Sequence, residues 1–294
     1  MKDKFLEKLK YEYNYSDLTI NGYDYEITKF LDYLNDNHLD YKKINIDMIR
    51  NYLKYLDSLK YKKNSISKNL SSLRSYYKFL TEEKVVLNNP FKNISNPKKD
   101  KKLPDFLNYK EINKLFDSAD TKTPLGLRNR CILELLYDTG IRVSELVNLK
   151  INDIEFDKKI INILGKGKKE RIVYYGDYLQ EVLEKYINDS RKYLLNNKLS
   201  EYLILNNNGS KITTRGVEYI IDKMVNEAAI KHKISPHVLR HTFATHMLNG
   251  GADIKSIQQL LGHESLSTTG IYTHITNDVL RQEYLKNHPR SKLN

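Results

Sequence analysis

The sequence predicts a mainly α-helical protein with one small antiparallel β-sheet, divided into a helical N-terminal domain and a mixed α+β C-terminal domain. Three observations predict this. Apolar residues recur at helical spacing through the first part of the chain. A stretch rich in proline and lysine then interrupts the pattern. Beyond it, one window changes to the β-branched composition of strands before helical patterning returns. A length of 294 residues is enough for two ordinary domains, and 40% hydrophobic residues suffice for packed cores.

The elements follow in order. "SDLTINGYDYEITKFLDYLNDN" places Leu18, Tyr25, Ile27, Phe30, Leu31 and Leu34 near helical spacing, with Ser16 as N-cap. "NIDMIRNYLKYLDSLK" repeats the pattern through Ile46, Ile49, Leu53, Leu56 and Leu59. "NSISKNLSSLRSYYKFLTEE" does so through Ile66, Leu70, Leu73, Tyr77 and Leu80. Residues 1–88 therefore read as a bundle of about four helices. "NNPFKNISNPKKDKKLPDFLN" holds three prolines and a lysine cluster, so residues 89–107 read as a basic linker.

Residues 108–294 form the second predicted domain. Asn108 with Glu111 three residues later has the form of a capping box. A helix over "PLGLRNRCILELLYDTG" ends at Gly140. Ile151, Ile154, Ile160, Ile161, Ile163, Ile172 and Val173 are β-branched, and breaks at "FDKK" and "GKGKKE" divide them into three short strands. Helices complete the chain. A tail with Ile275, Val279, Leu280, Tyr284 and Leu285 stops at "HP".

The formal net charge is +12 and is evenly shared. Residues 1–105 carry 21 Lys and Arg against 15 Asp and Glu, and residues 106–294 carry 28 against 22. Such a balance suits contact with a polyanion through both domains, or plain solubility. No acidic residue stands between Asp57 and Glu82, whereas Lys60, Lys62, Lys63, Lys68, Arg74 and Lys78 stand there among Ser, Asn and Tyr. A solvated face mixes signs, while a phosphate backbone is met by cations and small donors. These six residues are therefore the candidate DNA-binding face. Cys131 is the lone cysteine and excludes an internal disulfide. The N-terminus lacks the apolar core of a signal peptide, and no run approaches a membrane span, so a soluble cytoplasmic protein is expected.

The chemistry concentrates in "SPHVLRHTFATH". Ser235 can cap this helix and Pro236 fits its first turn. His237, Arg240 and His241 lie at i, i+3 and i+4, near an N-terminus suited to anions. The i, i+4 histidines also have zinc-helix spacing, but the Glu of HExxH is missing and an arginine shares the face, so no metal is assigned. A solvated surface without a task is the remaining reading of this helix alone. Elsewhere, Arg142 follows a helix end in "TGIRVSEL", and Lys166 sits between glycines in the turn "GKGKKER". That turn lacks the spacing of a nucleotide P-loop. His263 directly follows Gly262 in "LLGH", and Tyr272 stands in "STTGIYTH".

Arg142, Lys166, His237, Arg240, His263 and Tyr272, in this order and in these motifs, resemble the tyrosine recombinase (phage integrase) family. The first hundred residues resemble its helical core-binding, SAM-like domain. The whole chain is most similar to the Xer-type site-specific recombinases. The resemblance implies a C-shaped clamp on duplex DNA at an inverted-repeat site. It implies four protomers on two sites, as a homotetramer or as a heterotetramer with a homologous recombinase, with a DNA translocase as a possible activator. Strands would be exchanged through a Holliday junction, and the C-terminal tail would dock on a neighbouring subunit.

In this scheme Tyr272 attacks the scissile phosphodiester, leaving a 3′-phosphotyrosyl link and a free 5′-hydroxyl. Arg142 and Arg240 bracket the nonbridging oxygens, and His263 adds a hydrogen bond. His237 takes the tyrosine proton, which a phenol with pKa about 10 holds at neutral pH. Lys166 protonates the leaving oxygen. Glu145, three residues after Arg142, orients it. Transesterification conserves bond energy, so no cofactor is expected. The function implied is resolution of chromosome dimers at a dif-like site. The alternatives are an integrase or resolvase of a phage, plasmid or transposon, and a DNA-binding protein that no longer cuts.

Overall fold

The computed structural model describes residues 1–97, 106–165, 170–262 and 277–292. The chain divides into two compact units, Met1–Lys102 and Leu103–Asn294.

The first unit is helical throughout: α1 (Lys2–Tyr11), α2 (Asp17–Asp36), α3 (Ile46–Ser58) and α4 (Lys63–Glu82). Ser16 caps α2 through the Thr19 amide, as its position in the sequence predicts. Asn45 does the same for α3 through Met48. The facing sides close over Ile27, Phe30, Leu34, Ile49, Tyr52, Leu56, Leu70, Leu73, Tyr77, Leu80 and Phe91. All five apolar positions read on α4 are buried. Leu18 and Tyr25, by contrast, stand exposed, because they fall off the stripe that Ile27, Phe30 and Leu34 define. The Tyr77 hydroxyl, buried with its ring, donates to the Tyr41 carbonyl at 2.8 Å.

The second unit is built around α6 (Pro124–Thr139), preceded by α5 (Tyr109–Asp117). The Asn108–Glu111 capping box is present in full. Cys131, Ile132, Leu133, Leu135, Leu136 and Tyr137 are all buried, and so are Glu134 and Asp138, so α6 is covered on every side and serves as the central helix. Burial pushes the Cys131 thiol well up. Short α7 (Val143–Leu146) leads to the sheet β1 (Ile154–Glu155), β2 (Ile160–Leu164) and β3 (Glu170–Tyr174), antiparallel in the order β1-β2-β3. Ile161 pairs with Val173 and Ile163 with Arg171. Then follow α8 (Asp177–Lys185), a π-helical turn, α9 (Arg191–Leu195), α10 (Thr214–Glu227), α11 (Pro236–Asn249), α12 (Ile254–Leu261) and α13 (Asn277–Asn287). None of the described helices is long and apolar enough to cross a membrane.

Within the chain itself, the tail residues from Asn277 on pack against their own domain. Tyr284 is buried in a core shared with Phe243, Met247, Ile257 and Leu260. Its hydroxyl donates to Asp138 at 2.6 Å, and His288 pairs with the same carboxylate at 2.9 Å. Arg290 pairs with Glu134, one helical turn earlier on α6. Burial pushes the Glu134 carboxyl up to about 7, against the opposing pull of Arg290 and Arg130. The "HP" that reads as a helix stop in the sequence thus also supplies the partner of a buried aspartate.

Candidate active site

Two helix ends and one strand bring the site together. α6 ends at Gly140, whose φ of 61° is left-handed. A side chain there would meet Phe243 Cδ1 at 2.7 Å and Leu261 Cδ2 at 2.8 Å, so glycine is required for conformation and for space. α12 ends at Gly262, φ 65°, which lies against the Arg171 stem. Both ends point unsatisfied carbonyls, the negative poles of their helices, into one region.

Arg240 and Arg142 take up these carbonyls. Arg240, only 6% exposed, donates to Gly140 O and to Leu261 O, each at 2.6 Å. Arg142 caps α7 and donates to Gly262 O at 3.1 Å. Its Nη1 donates to Glu145 Oε1 at 2.9 Å and its backbone amide to Glu145 Oε2 at 2.8 Å. The expectation that Glu145 orients Arg142 therefore has a direct geometric counterpart.

Arg171 on β3 is a residue the sequence reading missed. It grips Glu145 from the other side, donating to Oε1 at 2.9 Å and Oε2 at 2.8 Å. The carboxylate so receives four hydrogen bonds, which fills its acceptor sites. Burial alone would raise its pKa, yet the forks of Arg171 and Arg142 hold it down to about 2. Arg240 is lowered to about 10, first by burial and then by the charge of Arg142. It remains protonated at neutral pH. Among the described residues, three guanidiniums thus surround one carboxylate and leave positive charge in excess. That surplus suits an anion.

The strand pattern held a signal for Arg171. It shares the face of buried Val173 and pairs in register with buried Ile163. An arginine on the inward face of a strand needs a carboxylate partner.

Helix α11 behaves as its caps predict: Ser235 accepts from the Val238 amide and Pro236 occupies the first turn. The shared face read from i, i+3 and i+4 spacing is split, however. Arg240 turns inward to the carbonyls, His241 is half-buried, and His237 stays exposed in the first turn. His246 is buried between Tyr109 and Tyr137. Burial and then His288 lower it to about 4. Among the described residues no group of three His, Cys, Asp or Glu is placed to hold a metal ion.

Lys166, His263 and Tyr272 lie outside the described residues. Their flanks are described. β2 precedes and β3 follows the segment that holds Lys166. Gly262, bound by Arg142, directly precedes His263. Asn277, whose carbonyl accepts from the Tyr174 hydroxyl at 2.7 Å, follows the segment with Tyr272.

On the first unit, Lys60, Lys62, Lys63, Lys68 and Lys78 are exposed. Arg74 departs from that set. It is half-buried, and its guanidinium donates to Phe91 O at 3.2 Å and Ile94 O at 2.9 Å. It straps the segment after α4 to the bundle, a structural task that the run of like charges concealed.

Comparison with known proteins gives a consistent result. The phage integrase family model matches residues 105–278, and the model of the phage integrase N-terminal SAM-like domain matches residues 3–84. A tyrosine recombinase XerC of Staphylococcus aureus (strain JH9) is 44% identical over 292 residues, 99% of this chain and 97% of that protein. Among solved structures, the XerH site-specific recombinase bound to palindromic difH substrate, a post-cleavage complex, has a TM-score of 0.73 at 27% identity. The match covers 96% of this chain and 83% of that one. The XerA recombinase is 32% identical with a TM-score of 0.51, covering 98% of each chain. A lambda integrase dimer bound to a core site shares the fold, with a TM-score of 0.70 at 18% identity over 94% of this chain and 98% of that one.

Proposed function

This chain belongs to the phage integrase family and is a tyrosine recombinase, and we propose on that premise that it resolves chromosome dimers at a dif-like inverted repeat. The observation that carries the chemistry is the pair Arg142 and Arg240, fixed on helix-end carbonyls where three guanidiniums share the single carboxylate of Glu145. Donors held in place before the reaction stabilise developing charge without reorganising. Guanidinium forks match a phosphate better than point charges do.

In the proposed step the Tyr272 oxygen bonds to the scissile phosphorus as the P–O5′ bond breaks. The phenolic proton passes to His237, and the departing 5′-oxygen takes a proton from Lys166. Arg142 and Arg240 neutralise the nonbridging oxygens, with a further hydrogen bond from His263. Attack by the freed 5′-hydroxyl of the partner strand reverses the step and yields a Holliday junction. Two rounds, run by four protomers, complete the exchange. Whether the four are identical or include a homologous recombinase is a matter of partner, not of chemistry.

The lysines of the first unit, Lys60, Lys62, Lys63, Lys68 and Lys78, would meet the duplex backbone in a sequence-independent way. Arg74 would support that face from beneath. The domain boundaries that fit this division of labour are 1–88, a basic linker at 89–107, and 108–294. Near-complete coverage of a XerC at 44% identity favours a chromosomal site over a mobile element.

The test is a nicked suicide duplex carrying the inverted repeat that the protein protects in footprints of its own chromosome. Wild-type protein should be trapped on DNA in a denaturing gel. Tyr272→Phe should bind the duplex normally and form no adduct. An adduct surviving in the Phe variant would mean another nucleophile.

A further inference from the structure

Arg171 joins three elements at one side chain. Its fork closes on both oxygens of Glu145, on α7. Its stem is covered by Gly262, where an added Cβ would lie 3.0 Å from Cδ and 3.1 Å from Nε. Its backbone lies in β3, the strand that follows the segment with Lys166. Each contact reaches Arg142. Glu145 Oε1 accepts from Arg142 Nη1, and Gly262 O accepts from Arg142 Nη2. The Arg142 side chain is 41% exposed, whereas those of Arg171 and Glu145 are 15% and 6% exposed. The more solvated arginine is therefore held by two groups that Arg171 holds in turn.

We propose that Arg171 is a positioning residue for strand cleavage: it locks Glu145 and the Gly262 turn in the geometry that aims Arg142 at the scissile phosphate. The proposal rests on the reading of Arg142 as part of the phosphate clamp. Electrostatics argue for position over mere stability. Arg171 attracts Glu145 but repels Arg240, so part of what its charge gains is lost again, whereas its geometry is kept in full. What a neutral donor lacks is a fork that fixes both carboxylate oxygens at once. Lysine lacks it too. With Arg171 removed, Glu145 would keep one partner and gain freedom to turn, and Arg142 would turn with it.

The experiment measures single-turnover cleavage of the footprint-defined nicked duplex, together with DNA affinity and thermal melting. Arg171→Met, which keeps the stem, should slow cleavage about 10- to 100-fold, the size expected when a reacting geometry loosens by about 1 Å. DNA affinity should stay within about threefold. Arg171→Lys should restore melting and only a small part of the rate. In an Arg142→Ala background, Arg171→Met should cost nothing further, because the group it positions is gone. Losses that multiply in the double variant, or full rescue by Lys, would overturn the proposal. If Arg171→Met fails to fold, Arg171→Lys still decides, since a wild-type rate in that variant is incompatible with a need for the fork. An unchanged rate in Arg142→Ala alone would instead overturn the clamp reading beneath it.

Discussion

Arg240 donates to the Gly140 carbonyl at 2.6 Å, so the most buried guanidinium of the site is anchored on the left-handed turn that ends α6. Helix packing and the proposed phosphate clamp therefore share one turn. Phe243, on the same helix as Arg240, fills the space where a Gly140 side chain would go. The core cannot adjust here without moving the arginine.

Gly140→Ala tests that coupling. An alanine would face both a left-handed backbone and contacts under 3 Å. The expected loss of stability is about 2 to 5 kcal/mol, combining backbone strain with overpacking. Urea denaturation measures it. A loss below about 0.5 kcal/mol would show that the turn relaxes freely.

Arg240→Ala should slow cleavage by about two to three orders of magnitude, the cost of removing one oxyanion donor. Arg240→Lys is the more informative variant. The site lowers an arginine to about 10. A lysine in the same surroundings would be lowered from its ordinary value of about 10.4 by the same burial and the same neighbouring charge. Its charged form is the active one, so its activity relative to the wild type should fall as pH rises. A pH–rate profile from 6 to 9 reads this directly, and parallel profiles would contradict it.

Glu145 makes a prediction about stability and acid. Its folded pKa of about 2 lies below the ordinary 4.5, so in that interval the unfolded chain binds more protons than the folded one. The stabilisation is complete above about 4.5 and is lost as pH falls toward 2. Its size is on the order of 3 kcal/mol. Glu145→Gln should remove it, so the two proteins should differ at pH 7 and converge below about pH 3. A gap that persists unchanged at low pH would mean that the carboxylate charge is not its source.

Tyr284→Phe probes the tail. The lost bond runs to a buried carboxylate that keeps His288 and the Gly176 amide as partners. The expected loss is about 1 to 3 kcal/mol in urea denaturation. A neutral result would place the tail's hold on this domain in its apolar contacts alone.

Much of this was legible in the sequence because it is local. Ser16, Asn108 with Glu111, and Ser235 with Pro236 sit beside the helices they begin. The strand window announced itself by a run of β-branched residues. Arg142 and Glu145 are three residues apart and could be paired on paper. Arg171 could not, since its partner lies 26 positions away and its neighbours "KKE" make it look like turn charge. Arg74 misled for the same reason: the carbonyls it holds come 17 and 20 residues later. The inward turn of Arg240 depends on two helix ends, 100 and 21 residues distant, that no periodicity connects.

The central claim is that the arginines neutralise a phosphate oxygen, and the most direct measurement removes the charge from the DNA instead of the protein. A nicked duplex carrying a single methylphosphonate at the cleaved position has no negative oxygen there to neutralise. Arg240→Ala, crippled on the phosphate duplex, should cleave the methylphosphonate duplex at close to the wild-type rate. An equally large defect on both duplexes would contradict it and assign Arg240 to the fold alone.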